Sequence, residues 1–249
     1  MVGEKLQKVL ARQGKGSRRE IERWIANGRV MVNGEVANLG IRVDGSEVVL
    51  VDGQPVKISN RKQKLSSRVL VYNKPAGQLC TRQDPKGRPT IFESLPDIDD
   101  SRWITVGRLD FNTTGLLLVT NDGELAARLM HPRHQIEREY ACRVFGEATP
   151  RKLAQLTKGV LLDAHLCKFN SIVDKGGQGV NHSYHVTLKE GRNREVRRLW
   201  EAVGLTVSRL LRVRFGPILL PKKLKQGAWI ELDFEKVKQL KQVVQLSAS

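Results

Sequence analysis

The segment Gly107-Arg108-Leu109-Asp110-Phe111-Asn112-Thr113-Thr114-Gly115 gathers a carboxylic acid, a guanidinium, two hydroxyls and two glycines just before the apolar run Leu116 to Val119. A carboxylate held there can act as a nucleophile, whereas an aspartate in a polar loop more commonly closes a turn or caps a helix. Residue type alone leaves both readings of Asp110 open. A basic cluster, Gly191-Arg192-Asn193-Arg194-Glu195-Val196-Arg197-Arg198, offers cations that could keep such a carboxylate ionised. Tyr140, in Arg138-Glu139-Tyr140, reads by itself as a strand aromatic filling a core. The cysteines Cys80, Cys142 and Cys167 are far apart, without CxxC or Cys/His spacing, the pattern of reduced thiols in a cytoplasmic protein. His131 and His134 flank a proline, and a strand would point His182 and His185 to opposite faces, so no metal site is expected. Gly176-Gly177-Gln178-Gly179 lacks the strand-then-helix setting of a nucleotide loop and reads as a flexible hairpin.

These residues need elements to position them. Val196, Leu199, Trp200 and Val203 recur at helical spacing and predict a helix over 194–203 with one buried face. That face leaves Arg194, Arg198 and Glu201 on the wet side and Arg197 at the margin, where it is best placed to meet a carboxylate. Strands are expected over 68–73, 116–120, 140–145, 182–189 and 206–215, with a turn at Lys74-Pro75-Ala76-Gly77 and a surface loop over 84–89. Helices should cover 122–130, open at Thr149-Pro150, and close the chain as a surface helix over 234–244 with a loose tail. Strands and helices mix without regular alternation, so the class is α+β, with a mixed, mainly antiparallel sheet and flanking helices.

Ahead of this lies a smaller unit. Leu6, Val9 and Leu10 mark one short helix, and Ser17 with Glu20 forms a capping box for a second, whose buried stripe is Ile21, Trp24 and Ile25. Asn33-Gly34 and Asp52-Gly53 then sit where hairpins turn between short strands. Residues 1–60 are read as one domain, the basic stretch 61–67 as a linker, and 68–249 as a second domain. Lys5, Lys8, Arg12, Arg18, Arg19 and Arg23 lie on the outer side of the first two helices, only partly neutralised by Glu4, Glu20 and Glu22.

Lysine and arginine total 43 against 26 acidic residues, a formal charge of +17 spread along the chain, which favours a polyanionic partner. The N-terminal residues lack the continuous apolar stretch of a signal peptide, and no apolar run is long enough to span a bilayer. A monomeric cytoplasmic protein with no membrane partner is expected.

Two resemblances narrow the function. The stretch from Lys5 to about Val51, with Ser17-Arg18-Arg19-Glu20 and Gly28-Arg29-Val30-Met31-Val32-Asn33-Gly34, resembles the S4 RNA-binding domain, which implies RNA and leaves activity open. The order Gly107-Arg108-Leu109-Asp110, then Thr113 and Gly115, resembles the signature of pseudouridine synthases that act on structured RNA. Arg138-Glu139-Tyr140 and the stretch 191–198 are similar to that family's second and third motifs, and 74–77 to a turn near the start of its catalytic domain, read as structural. The resemblance implies that Asp110 is the nucleophile, Tyr140 stacks on the target base, Arg197 partners the aspartate and Arg108 helps hold the displaced geometry. Lys5, Arg18, Arg19, Arg194 and Arg198 would contact RNA. The S4-plus-catalytic layout points to the RsuA-like branch, and the regions 131–144 and 200–204 to its members that modify a uridine in a 23S rRNA stem-loop. A small-subunit rRNA target is the alternative within the branch. Uridine and pseudouridine are isomers, so the implied reaction needs no cofactor, metal or redox agent. Attack on the ribose, elimination and addition to the base all fit the same carboxylate. A non-catalytic ribosome-assembly factor would have no use for Asp110, Tyr140 and Arg197 together, and an aspartate hydrolase would need a second carboxylate at a recognisable spacing.

Overall fold

The computed structural model describes residues 3–58, 66–99, 101–178 and 180–247, so most of the expected linker, 61–65, and Gly179 of the glycine-rich hairpin lie outside the described residues. The chain forms two compact units, one holding residues up to Ser67 with Pro96–Trp103, the other Arg68–Leu95 and the chain from Ile104 onward.

In the first unit the helices Leu6–Arg12 and Arg18–Ala26 form where the apolar spacing places them. The Ser17 hydroxyl accepts from the Glu20 amide at 3.1 Å and the Glu20 carboxylate accepts from the Ser17 amide at 3.1 Å, closing the capping box. Leu6, Leu10 and Ile21 are fully buried and pack with Val30 and Val49 of a four-stranded sheet. Its order is Glu35–Val36, Val30–Val32, Val49–Val51, Gln54–Val56. Asn33 and Asp52 take positive φ of 51° and 50°, the left-handed backbone that two-residue hairpin turns require.

The second unit is built on a nine-stranded sheet. Its main path runs Ser171–Gln178, Asn181–Leu188, Arg138–Phe145, Thr206–Phe215, Thr114–Thr120, Val69–Lys74, Trp229–Glu231. The pairings are antiparallel except one, the parallel contact of Thr206–Phe215 with Thr114–Thr120. Gly115 permits it: its φ is +101°, and a Cβ there would overlap the carbonyl oxygen of Arg212. Val69, Val71, Leu116 and Leu118 pack against helices Gly123–Met130 and Phe234–Val243. At the other end of the sheet, Trp200 of helix Glu195–Glu201 is buried against Phe169 and Tyr184, with ring centroids 5.7 and 5.0 Å away.

The structure refines the expected elements and adds to them. The helix expected from residue 194 begins at Glu195, because Arg194 adopts a left-handed φ of 50° and caps it. The last helix is an amphipathic surface helix: Val237 and Leu240, with Val244 just beyond it, pack into the core, while Phe234, Glu235, Lys236 and Gln239 stay exposed. The short hairpin of Val160–Leu162 with His165–Cys167, the strand Ser171–Gln178 and the edge strand Trp229–Glu231 carried no usable sequence signal. Among the described residues no helix is long and apolar enough to cross a membrane.

Candidate active site

The second unit carries a cleft of about 1400 Å³ with Asp110 and Tyr140 in its wall. Eight lysines and arginines line it against four carboxylates. Its size exceeds the roughly 300–1,000 Å³ typical of small-molecule pockets, and its charge suits a polyanion.

Asp110 sits in the bend between strands Ile104–Thr105 and Thr114–Thr120, where the Thr113 amide donates to the Asp110 carbonyl at 3.0 Å. What fixes this bend is Lys74. Its side chain is fully buried, and its ammonium donates to the carbonyls of Pro75 at 2.9 Å, Asp110 at 3.2 Å, Thr113 at 3.1 Å and Phe111 at 3.4 Å. The Gly77 amide adds a bond to the Phe111 carbonyl at 3.0 Å. The turn 74–77 therefore clamps the Asp110 loop by its backbone and leaves the carboxylate free to face the cleft. Burial pulls the Lys74 ammonium below the usual lysine range, opposed by the neighbouring Cys80 and Asp110. Sequence reasoning treated Lys74 as part of a structural turn. The burial of a cation among four carbonyls depends on residues nearly forty positions away and has no local signature.

Tyr140 is 8% exposed on strand Arg138–Phe145, directly across from Arg212. Arg212 is a second residue that sequence reasoning passed over. It is 3% exposed, its Nε donates to the Leu116 carbonyl at 2.7 Å, and one terminal nitrogen is buried without a partner. Its guanidinium and that of Arg138 lie 5.4 and 5.1 Å from the Phe215 ring centroid, within cation–π range. A charged residue at an inward register of an expected strand was the available signal. Burial lowers the Arg138 pKa, and its side chain donates to the Lys189 carbonyl at 2.8 Å.

Arg197 stands at the margin of its helix, half-buried, and reaches the Asp110 loop through the backbone. It donates to the Val207 carbonyl at 2.6 Å and to the Asn112 carbonyl at 3.5 Å, with no ion pair to Asp110 within 4.0 Å. Burial and the nearby Arg194 lower its pKa, while the field of Asp110 acts in the opposite direction. Arg108 is exposed on the cleft rim. Arg194 is exposed and lies 3.6 Å from Glu201, and Arg198 is held by Asp163 at 2.8 Å, so Arg198 would have to leave a carboxylate to meet a phosphate. At the start of that helix Glu195 is buried and accepts from the Arg192 amide at 2.9 Å. Cys167, Glu190 and Glu195 bring ligand atoms within 4.8 Å of one another, but Glu190 is already bound by Arg192 at 2.6 Å.

In the first unit Lys5, Arg18 and Arg19 are exposed, and Lys5 and Arg19 line a shallow depression of about 440 Å³. Lys8 and Arg12 are engaged by Glu4 at 2.8 and 2.7 Å. Burial pushes the Glu4 carboxyl up, but the two cations outweigh it and hold it below the usual range.

The family model for RNA pseudouridylate synthase matches residues 68–202, and that for the S4 domain matches residues 4–49. A Vibrio cholerae protein named ribosomal large subunit pseudouridine synthase B is 56% identical over 246 residues, which cover 98% of this chain and 76% of that one. The protein of the same name from Escherichia coli O157:H7 is 55% identical over 247 residues, 98% of this chain and 85% of its own. The crystal structure of a pseudouridylate synthase superposes with a TM-score of 0.66 at 24% identity, covering 95% of this chain and 99% of that one, a likeness of fold.

Proposed function

Since this chain belongs to the RNA pseudouridylate synthase family, we propose that it isomerises a uridine in a stem-loop of 23S rRNA to pseudouridine, with Asp110 as nucleophile. The observation that carries this reading is the Asp110 carboxylate in a basic cleft, on a loop pinned from behind by the buried Lys74. The N1–C1′ bond of the uridine breaks and a C5–C1′ bond forms. The proton on C5 leaves to solvent and N1 gains one, so atoms and charge balance with no oxidant or external group. The target must leave its stack to reach Asp110, at a cost of a few kcal/mol, least in a loop. Tyr140 offers the ring on which it stacks, and Arg108, exposed on the rim, supports the displaced strand. Arg197 acts through the backbone of the loop at Asn112 and through its field at Asp110.

Residues 1–60 serve in this reading as an RNA anchor through Lys5, Arg18 and Arg19. Asp110 and Tyr140 line one cleft within the second unit, so the proposed reaction calls on no residue of a second copy. Because the C5 hydrogen is lost, turnover can be followed as tritium released from 5-tritiated uridine in a 23S rRNA stem-loop transcript. Asp110→Asn should lower turnover by on the order of 10³-fold or more while leaving RNA affinity near that of wild type. Wild-type turnover in that variant would remove Asp110 as the nucleophile.

A further inference from the structure

Alternation along strand Arg138–Phe145 sends Arg138, Tyr140, Cys142 and Val144 to the cleft and the packed side of the sheet. Glu139, Ala141, Arg143 and Phe145 go to the other side. That side stays open: Arg143 and Arg209 are exposed, Phe145 is 54% exposed and Val173 46%. Arg143 stands directly opposite Arg209 across the antiparallel ladder. Two like charges in that register disfavour the fold, and among the described residues no carboxylate is paired with either. Glu139, the nearest acid along the strand, is bound by His185 at 2.8 Å and Arg214 at 2.9 Å. The other cross-strand neighbour of Arg143 is the neutral Ser183. A register shift follows at once, between Arg143 and Val144, the kind of irregularity that re-aims side chains.

We propose that this outer sheet face is a second RNA-contact surface, in which Arg143 and Arg209 together hold the phosphate backbone and Phe145 stacks an unpaired base beside them. A polyanion turns the repulsion of the pair into a shared attraction. An exposed aromatic ring next to unpaired guanidinium groups on an open sheet is the chemistry that grips single-stranded RNA. Arginine and phenylalanine are also enriched at protein interfaces, but two adjacent guanidinium groups with no acid between them match the closely spaced charges of a phosphate backbone. The inference rests on the RNA-modifying reading above and extends its substrate beyond the cleft.

The test compares wild type, Arg143→Gln, Arg209→Gln and the double variant on a 23S rRNA transcript carrying the stem-loop with its single-stranded flanks. Each single change should weaken binding about three- to tenfold and flatten the plot of log affinity against log salt by about one. The melting temperature should stay level or rise as the repulsion is relieved. Arg143→Lys, which keeps the charge, should restore the salt slope. A double variant with wild-type affinity and salt slope, while the wild type still turns over, would overturn the outer-face contact alone, including the case in which a protein covers it. A wild-type chain that neither binds nor modifies the transcript would remove the RNA reading itself.

Discussion

The two units carry their cations differently. In the first, Lys5, Arg18 and Arg19 are exposed and Lys8 and Arg12 share Glu4 at the surface. In the second, Lys74 and Arg212 are buried and held by backbone carbonyls. An exposed lysine or arginine is free to exchange its counterions for phosphate, which is where salt-dependent affinity arises. A buried one serves as scaffold, because its desolvation is offset only if every nearby carbonyl stays in place. The formal charge of +17 therefore mixes cations that bind with cations that build.

The contrast is most easily broken at the joint that seats Arg212. Gly115→Ala should destabilise the protein by about 3–4 kcal/mol in denaturant unfolding, since its Cβ would overlap the Arg212 carbonyl at a backbone angle that favours glycine. Lys74→Met should lose about 2–3 kcal/mol by the same measurement and lower turnover on the order of a hundredfold, because four carbonyls lose their donor and the Asp110 loop loses its clamp. A Lys74→Met protein as stable and active as wild type would erase the distinction between the two kinds of cation. In the first unit Arg19→Glu should leave stability within about 0.5 kcal/mol. It should weaken RNA binding severalfold and flatten its salt dependence by about one, read by filter binding at several salt concentrations.

The smallest effect concerns the exposed loop near Arg88. Arg88 and the amides of Arg88 and Lys86 hold the Asp84 carboxyl down to about 2, against an ordinary 3.8. The folded value lies below the unfolded one, so this contribution is present above the ordinary value and is lost as pH falls through about 2. Carbon-detected titration of Asp84 should show that midpoint, moving up toward 3.8 in Arg88→Ala.

Much of this architecture is legible in the chain because its signals are local. Ser17 and Glu20 cap a helix within three residues, Asn33-Gly34 turns a hairpin by itself, and the strand expected over 206–215 appears as Thr206–Phe215. The Asp110 loop was visible through its motif, and helical spacing placed Arg197 at the edge of its buried face. Less legible were groups whose surroundings come from distant segments. Arg197 finds carbonyls at Val207 and Asn112 where spacing alone suggested a carboxylate. Strand Trp229–Glu231 is exposed at all three positions, so its pairing with Val69–Lys74 left no alternation to read.

The parallel pairing within the sheet also sets a clock. Thr114 and Gly115 meet Leu211 and Arg212, partners separated by roughly a hundred residues of intervening chain. During synthesis the aspartate loop would emerge from the ribosome long before the strand that completes its surroundings. A nascent chain thus carries its aspartate loop in an unassembled form while roughly a hundred further residues are made, and the second unit is completed late, when that strand docks.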